Sequence, residues 1–182
     1  IRALAEHSNL TSIHLKYNKV GERGLAALQT LLHKPNPSLT ILQLRQGSLD
    51  DNGAVRLAAA LAGNNTLRKL DLSQNDDVTI TGWRALFAQL HGPQSSLEDL
   101  QLYDNCVDDA AVTSLANCLA NGSNLRVLNL SQSNGVTAEG WRSVFDALGS
   151  PSCLLEELYL HTNAIYDEEV THLVTCLANN SL

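Results

Sequence analysis

Six times along the chain, a run of alternating apolar and polar residues gives way to apolar residues three and four apart. The alternating part follows L-x-x-L-x-L-x-x-N-x-L and is cleanest at Leu97-Leu100-Leu102-Asn105-Val107 and Leu155-Leu158-Leu160-Asn163-Ile165. Its L-x-L centre predicts a short strand with one face on a core. The runs begin at Leu10, Leu39, Leu67, Leu97, Leu125 and Leu155, and from Leu39 onward a shorter and a longer step alternate. The segment from Leu67 to Trp83, LRKLDLSQNDDVTITGW, returns from Leu125 to Trp141 as LRVLNLSQSNGVTAEGW. Self-similarity at a fixed period means stacked units, none of which can bury its apolar face alone.

The Asn after each strand is a polar residue in an apolar column. It is expected to turn inward and satisfy backbone groups left unpaired where the chain bends. In the second unit Gly47 takes this place, and backbone freedom is expected to solve the bend instead. The longer units carry one extra residue there, Asn75-Asp76-Asp77 and Ser133-Asn134-Gly135, which predicts a bulged turn.

Counting from Val20, Leu49, Val78, Val107, Val136 and Ile165, apolar residues fall at the fifth, eighth and twelfth positions, one face of a helix in every unit. Asp51, Asp109 and Asp167 are candidate N-caps in the short units, Thr79 and Thr137 in the long ones. Pro35, Pro93 and Pro151, at the same place in alternate units, are positioned to close the long units' helices. Trp83 and Trp141 sit at the fifth position and read as core filler.

These runs, with NGAVRLAAALAGNNTLRKLDLSQN and GLAALQTLL, resemble leucine-rich repeats of the ribonuclease-inhibitor type, whose units also alternate in pairs. They are similar to the repeat domains of NOD-like receptors and Ran GTPase-activating proteins. The resemblance covers essentially the whole chain, but the matching residues are structural, so it carries fold further than function. It implies an α/β leucine-rich-repeat solenoid, a horseshoe with parallel strands on the concave face and helices on the convex face. Units of about 28 and about 29/30 residues alternate, and residues 1–182 form a single array of about six. The Cys-rich columns of ribonuclease inhibitor itself are nearly absent. Neither terminus shows a polar capping unit, and each bare end would expose several Leu side chains at about 1.5–3 kcal/mol apiece. The array is therefore expected to continue, or to have its ends covered.

Composition narrows the function. Apolar residues make up 44% of the chain, enough for a continuous core, and the net charge is −7. That charge argues against nucleic acid or an anionic membrane as the main partner. It is unevenly placed: residues 1–91 carry ten Lys/Arg and seven Asp/Glu, residues 92–182 two and twelve. Four cysteines lack zinc spacing, and Cys118 and Cys176 share one register as small buried residues. Reduced thiols suit the cytoplasm. Five N-x-S/T triplets, at Asn9, Asn64, Asn121, Asn129 and Asn179, leave secretion open. Six histidines share no register, no phosphate loop or nucleophile elbow occurs, and no metal, cofactor or catalytic residue is expected.

What remains is the outward face of the strands. Its columns are Ser12, Ile41, Lys69, Asp99, Val127, Glu157; His14, Gln43, Asp71, Gln101, Asn129, Tyr159; and Lys16, Arg45, Ser73, Tyr103, Ser131, His161. At about 5 Å per strand, six rungs make a surface about 25 Å long, enough for a protein partner. Lys16, Arg45 and Lys69 gather toward one end. Asp99, Asp104 and Glu157 gather toward the other, interleaved with Gln101, Tyr103, Tyr159 and His161. Tyr103, Asp104, Tyr159 and His161 are the expected anchor for a partner with a basic patch, since aromatic side chains carry disproportionate binding energy. The expected function is a non-enzymatic protein-binding scaffold. The alternatives are a GTPase-activating domain of the Ran-activator type and the sensor repeats of a NOD-like receptor.

Overall fold

The computed structural model of the chain describes residues 9–33, 38–91 and 95–179. Six short strands alternate with six helices: β1 (Ser12–His14), α1 (Glu22–His33), β2 (Ile41–Gln43), α2 (Asp51–Leu61), β3 (Lys69–Asp71), α3 (Ile80–Phe87), β4 (Asp99–Gln101), α4 (Asp109–Ala120), β5 (Val127–Asn129), α5 (Ala138–Leu148), β6 (Glu157–Tyr159) and α6 (Asp167–Asn179). Each strand pairs in parallel with the next, giving one sheet in the order β1 to β6. A parallel pair needs a long crossover, and a helix supplies it in every unit. Helices pack about 8–10 Å apart while strands sit about 4.8 Å apart, so the stack bends toward the sheet.

The register sets Ile13, Leu42, Leu70, Leu100, Leu128 and Leu158 in one line across all six strands. Leu42, Leu70, Leu100 and Leu128 are buried, as are Leu57, Leu86, Leu115 and Val144 from the facing helices. The same spine of aliphatic groups is thus refilled in each turn. Trp83 and Trp141 are fully buried and stack on Phe87 and Phe145 at 5.9 and 6.4 Å. Among the described residues their indole Nε1 atoms have no hydrogen-bond partner, so these rings act as apolar volume. The last unit is less covered: Val170, Val174 and Leu177 of α6 are each about half exposed.

The asparagines at 75, 105 and 163 behave as expected, whereas Asn18 in the first unit is exposed and donates to the Lys16 carbonyl. Asn105 donates to the carbonyls of Leu72 and Leu102 and accepts from the Asn75 N–H at 2.7 Å. Asn75 accepts from Gly47 and Leu49 N–H and donates to Leu44 and Leu72 carbonyls. Asn163 repeats the pattern, donating to Leu130 and Leu160 and accepting from Ser133. Each of these inward asparagines therefore ties its own turn to the turn before it. The longer units do hold one more residue: Val78 and Val136 N–H reach back three residues, to Asn75 and Ser133 carbonyls. Val107 and Ile165 reach back only two.

Three expectations need correction. Gly47 is not in the left-handed region; a Cβ there would lie 2.8 Å from the Leu44 carbonyl oxygen, so close approach is what selects glycine. The left-handed residue of each turn is Tyr17, Gln46, Gln74, Asp104, Gln132 or Thr162, and the second turn adds Ser48, all with φ between 50° and 61°. The caps of α2 and α4 are Asp50 and Asp108, which accept from Gly53 and Ala111 N–H, one residue before Asp51 and Asp109. In α6 Asp167 is the first helical residue, and Glu169 accepts from the Tyr166 N–H. Thr79 and Thr137 do cap α3 and α5.

Asp51 and Asp109 instead serve the next unit. Asp51 accepts from Thr79 N–H at 2.8 Å, Thr79 Oγ1 at 2.7 Å and Gly82 N–H at 3.1 Å. Asp109 accepts from Thr137 N–H and Oγ1, both at 2.7 Å. A carboxylate at a helix N-terminus is favoured by the unpaired N–H groups there. Helix stops also alternate. Gly63 and Gly122, with φ of +76° and +85°, end the short units, while Pro151 follows α5 by three residues. Pro35 and Pro93 lie outside the described residues.

Candidate concave binding face

The alternation of the strands leaves one sheet face to the core and the other, uncovered by any described helix, to solvent. The outward columns align as their spacing predicts, Ser12 through Glu157 and His14 through Tyr159. The third column continues just past the strands, where each turn hydrogen-bonds to the next.

These side chains are not free rungs. Lys69 is ion-paired with Asp99, whose other oxygen accepts from Gln101 at 2.6 Å, and Gln101 accepts from Asn129 at 2.9 Å. Arg45 donates to Gln74 at 2.9 Å, Gln74 donates to Asp104 at 2.9 Å, and the Arg45 guanidinium lies 5.4 Å from the Tyr103 ring centre. Two connected strips thus run along the face, one from β3 to β5 and one along the rim from Arg45 to Asp104.

Asp71 departs from the expectation of an outward, unengaged residue. It is 6% exposed, accepts from the Ser73 N–H at 3.1 Å and faces Lys16 Nζ at 3.6 Å. A carboxylate folded onto its own backbone and covered by neighbours has little surface left uncovered. Ser73 and Ser131 are likewise buried, and Ser131 Oγ accepts from the His161 N–H.

Of the four expected anchors, Tyr103 and Asp104 belong to the rim strip and are partly buried. Tyr159 and His161 stand apart on the last rung, their rings 6.0 Å apart. The Tyr159 hydroxyl donates to Glu157 at 2.5 Å, and that bond, followed by the Glu157 charge, pushes the phenol above its ordinary value. The small Ser131 separates the two pairs, which sit two strands or about 10 Å apart.

The charge polarity survives in altered form. Arg68 pairs with Glu98 at 3.0 Å and Arg126 pairs with Glu156, so much of the basic charge is met by acids one unit on. At the rim, Asp76, Asp77 and Asp104 cluster near Cys106. Partial burial, then the charges of Asp104 and Asp77, hold the Asp76 carboxyl above its ordinary value. Sequence reasoning placed Asp104 on this surface for its charge but passed over Gln74, at the same place in the preceding turn, and Asp76 and Asp77 in the longer turn.

Sequence reasoning also found no metal ligands. Among the described residues one group of potential ligands converges: Asp146 of α5 with His172 and Cys176 of α6. The signal available was His172-x-x-x-Cys176, one helical turn apart. Among the described residues no helix is long and apolar enough to cross a membrane.

Comparison with known proteins follows the same architecture. The family model described as "Leucine Rich repeat" matches residues 6–28, 36–58 and 63–87. NACHT, LRR and PYD domains-containing protein 14 of Mus musculus is 32% identical over 178 residues, 98% of this chain and 18% of that protein. Protein 12 of the same series in Homo sapiens is 32% identical over 158 residues, 87% of this chain and 15% of that one. The ribonuclease inhibitor of Sus scrofa is 36% identical over 101 residues, 56% of this chain and 22% of the inhibitor. The chain thus spans less than a quarter of each of these relatives. The leiomodin-1 actin-binding site 2 superposes with a TM-score of 0.68 over 86% of both chains at 16% identity. The tropomodulin C-terminal domain of Caenorhabditis elegans gives 0.51 over 98% of this chain and 89% of that one, at 12% identity. At those identities the likeness is one of fold.

Proposed function

Because the chain belongs to the leucine-rich-repeat proteins, in their ribonuclease-inhibitor-like branch, we propose that it is a non-catalytic scaffold whose concave sheet captures a protein. The observation that supports this most is the uncovered sheet face with aromatic and acidic side chains held in place by their neighbours. Side chains already fixed lose little rotamer freedom on binding, which leaves more of the contact energy as affinity. The partner carries a basic patch that meets Asp104, Glu157 and the acidic rim, with Tyr103, Tyr159 and His161 as anchors. Lys16, Arg45, Lys69, Asp99 and Gln101 shape and orient the surface, and Asp71 supports it from beneath. The protein acts in the cytoplasm, without a cofactor, nucleic acid or membrane. The side chains of Asn64 and Asn129, two of the glycosylation triplets, are engaged in internal hydrogen bonds, consistent with that compartment.

The test is capture of a partner on the immobilised array, followed by Tyr103→Ala with Tyr159→Ala. Affinity falls more than tenfold while the circular dichroism spectrum is unchanged; equal affinity overturns the proposal. The identity with NACHT, LRR and PYD domains-containing proteins favours a second reading, in which this face is the sensing surface of a NOD-like receptor. A nucleotide-binding domain in the same polypeptide supports it. Acceleration of hydrolysis by a Ran-type GTPase favours the activating alternative instead.

A further inference from the structure

Cys118 and Cys176 occupy the same place in successive double units. Around Cys118 the thiol donates to the Phe87 carbonyl at 3.2 Å, as a small buried residue is expected to do. The residues near it that correspond to His172 and Asp146 are Ser114 and Ala88. In the last double unit both places change to side chains with metal-binding atoms, and the thiol's neighbours change with them. Cys176 Sγ lies 3.6 Å from Asp146 Oδ1 and 3.6 Å from His172 Nε2, and those two atoms are 2.8 Å apart.

We propose that Asp146, His172 and Cys176 form a zinc site that joins α5 to α6 on the helical side of the solenoid. Two sides of the triangle they make have the length a tetrahedral ion requires. With Zn–S near about 2.3 Å and Zn–N or Zn–O at about 2.0–2.1 Å, tetrahedral edges are about 3.6 Å from sulfur and about 3.4 Å between nitrogen and oxygen. Two edges already match, and the third needs to open by about half an ångström, within reach of two partly exposed side chains.

The alternative of a nucleophile–imidazole–carboxylate relay does not fit. A relay uses both ring nitrogens, one for the nucleophile and one for the carboxylate. Here sulfur and carboxylate both face Nε2, so three potential ligand atoms surround one point. One thiolate, one imidazole and one carboxylate make a borderline-soft set suited to zinc over calcium or magnesium. Three protein ligands leave a fourth position for water or for a donor from a partner. The site is independent of the concave face and of the proposed function.

Zinc chloride and, separately, cobalt(II) chloride are titrated into the reduced chain, beside His172→Ala and Cys176→Ser. The expected result is one zinc per chain that raises the thermal midpoint, with affinity at least tenfold lower in either variant. Cobalt gives thiolate charge-transfer absorption in the wild type that is lost in Cys176→Ser. His172 is partly exposed, so its replacement tests the site without emptying the core. Zinc affinity equal in the wild type and both variants, or a cobalt spectrum without the thiolate band, overturns the proposal. In that case the His172–Asp146 contact is an ion pair beside an inert thiol.

Discussion

At the scale of the residue, the polar groups between units do as much to define the fold as the leucines. Asp51 gathers three donors from the following helix start. The Thr79 hydroxyl, before partial burial works against it, is the main reason its carboxyl sits below the ordinary 3.8. A depressed folded value means the contribution is fully present above about pH 4 and lost as pH falls through that lower value. Asp51→Ala should therefore lower stability by about 1–2 kcal/mol at neutral pH. In urea melts the difference from wild type should shrink toward pH 2. This partnership was not legible in the sequence. Asp50-Asp51 and Asp108-Asp109 offer two carboxylates per helix start, and which one caps its own helix depends on where the next unit lies. Glycine tells the same story. A Cβ on Gly82 would meet Ala54 Cβ at 2.8 Å, Val78 Cγ1 at 2.7 Å and Asp51 Oδ1 at 2.8 Å, a requirement set by the neighbouring helix.

At the scale of the element, each strand supplies only three residues, too few to hold a ladder alone. In the inner units its order comes from both neighbours and, after β3 and β4, from the asparagine beneath. α6 and β6 have a neighbour on one side only among the described residues, and half-exposed Val170, Val174 and Leu177 mark the difference. Amide hydrogen exchange should therefore be faster in the edge units, β1 with α1 and β6 with α6, than in α4 and β4, where both sides are packed. Uniform protection along the array would contradict this. Strand register and helix faces were readable in advance because periods of two and of three to four belong to the chain itself. The turns were less readable: their left-handed residues are Gln, Tyr, Ser, Asp and Thr, and none of these announces a positive φ as glycine does. The Asp146, His172 and Cys176 group was hidden for a related reason. Its members come from two successive units, and no single-unit motif contains them all.

At the scale of the whole molecule, charge is sorted more finely than the two-halves count suggested. Cations near the start of the array are largely met by acids one or two units on, while the rim at Asp76, Asp77 and Asp104 keeps its like charges together. A carboxyl held above its ordinary value weighs against the folded state when ionised, and the penalty is relieved as pH falls through the raised value. Asp76→Asn should thus raise the thermal midpoint at pH 7 and change it little at pH 3. An equal or lower midpoint at pH 7 would show that neither burial nor the neighbouring charges weigh on the ionised carboxyl. Keeping such a patch makes sense if a cationic surface relieves it on docking, which ties this measurement to the proposed partner.

The carboxylate clasps from Asp51 to Thr79 and from Asp109 to Thr137 fasten units two by two, and among the described residues the seam between α3 and α4 has no equivalent clasp. The repeating brick of the solenoid is then the doublet, as the return of the Leu67 to Trp83 segment at Leu125 to Trp141 also has it. If the joints without a clasp yield first, the width of the horseshoe's mouth is set between doublets rather than within them, and removing a clasp by Asp109→Ala should loosen a doublet from inside.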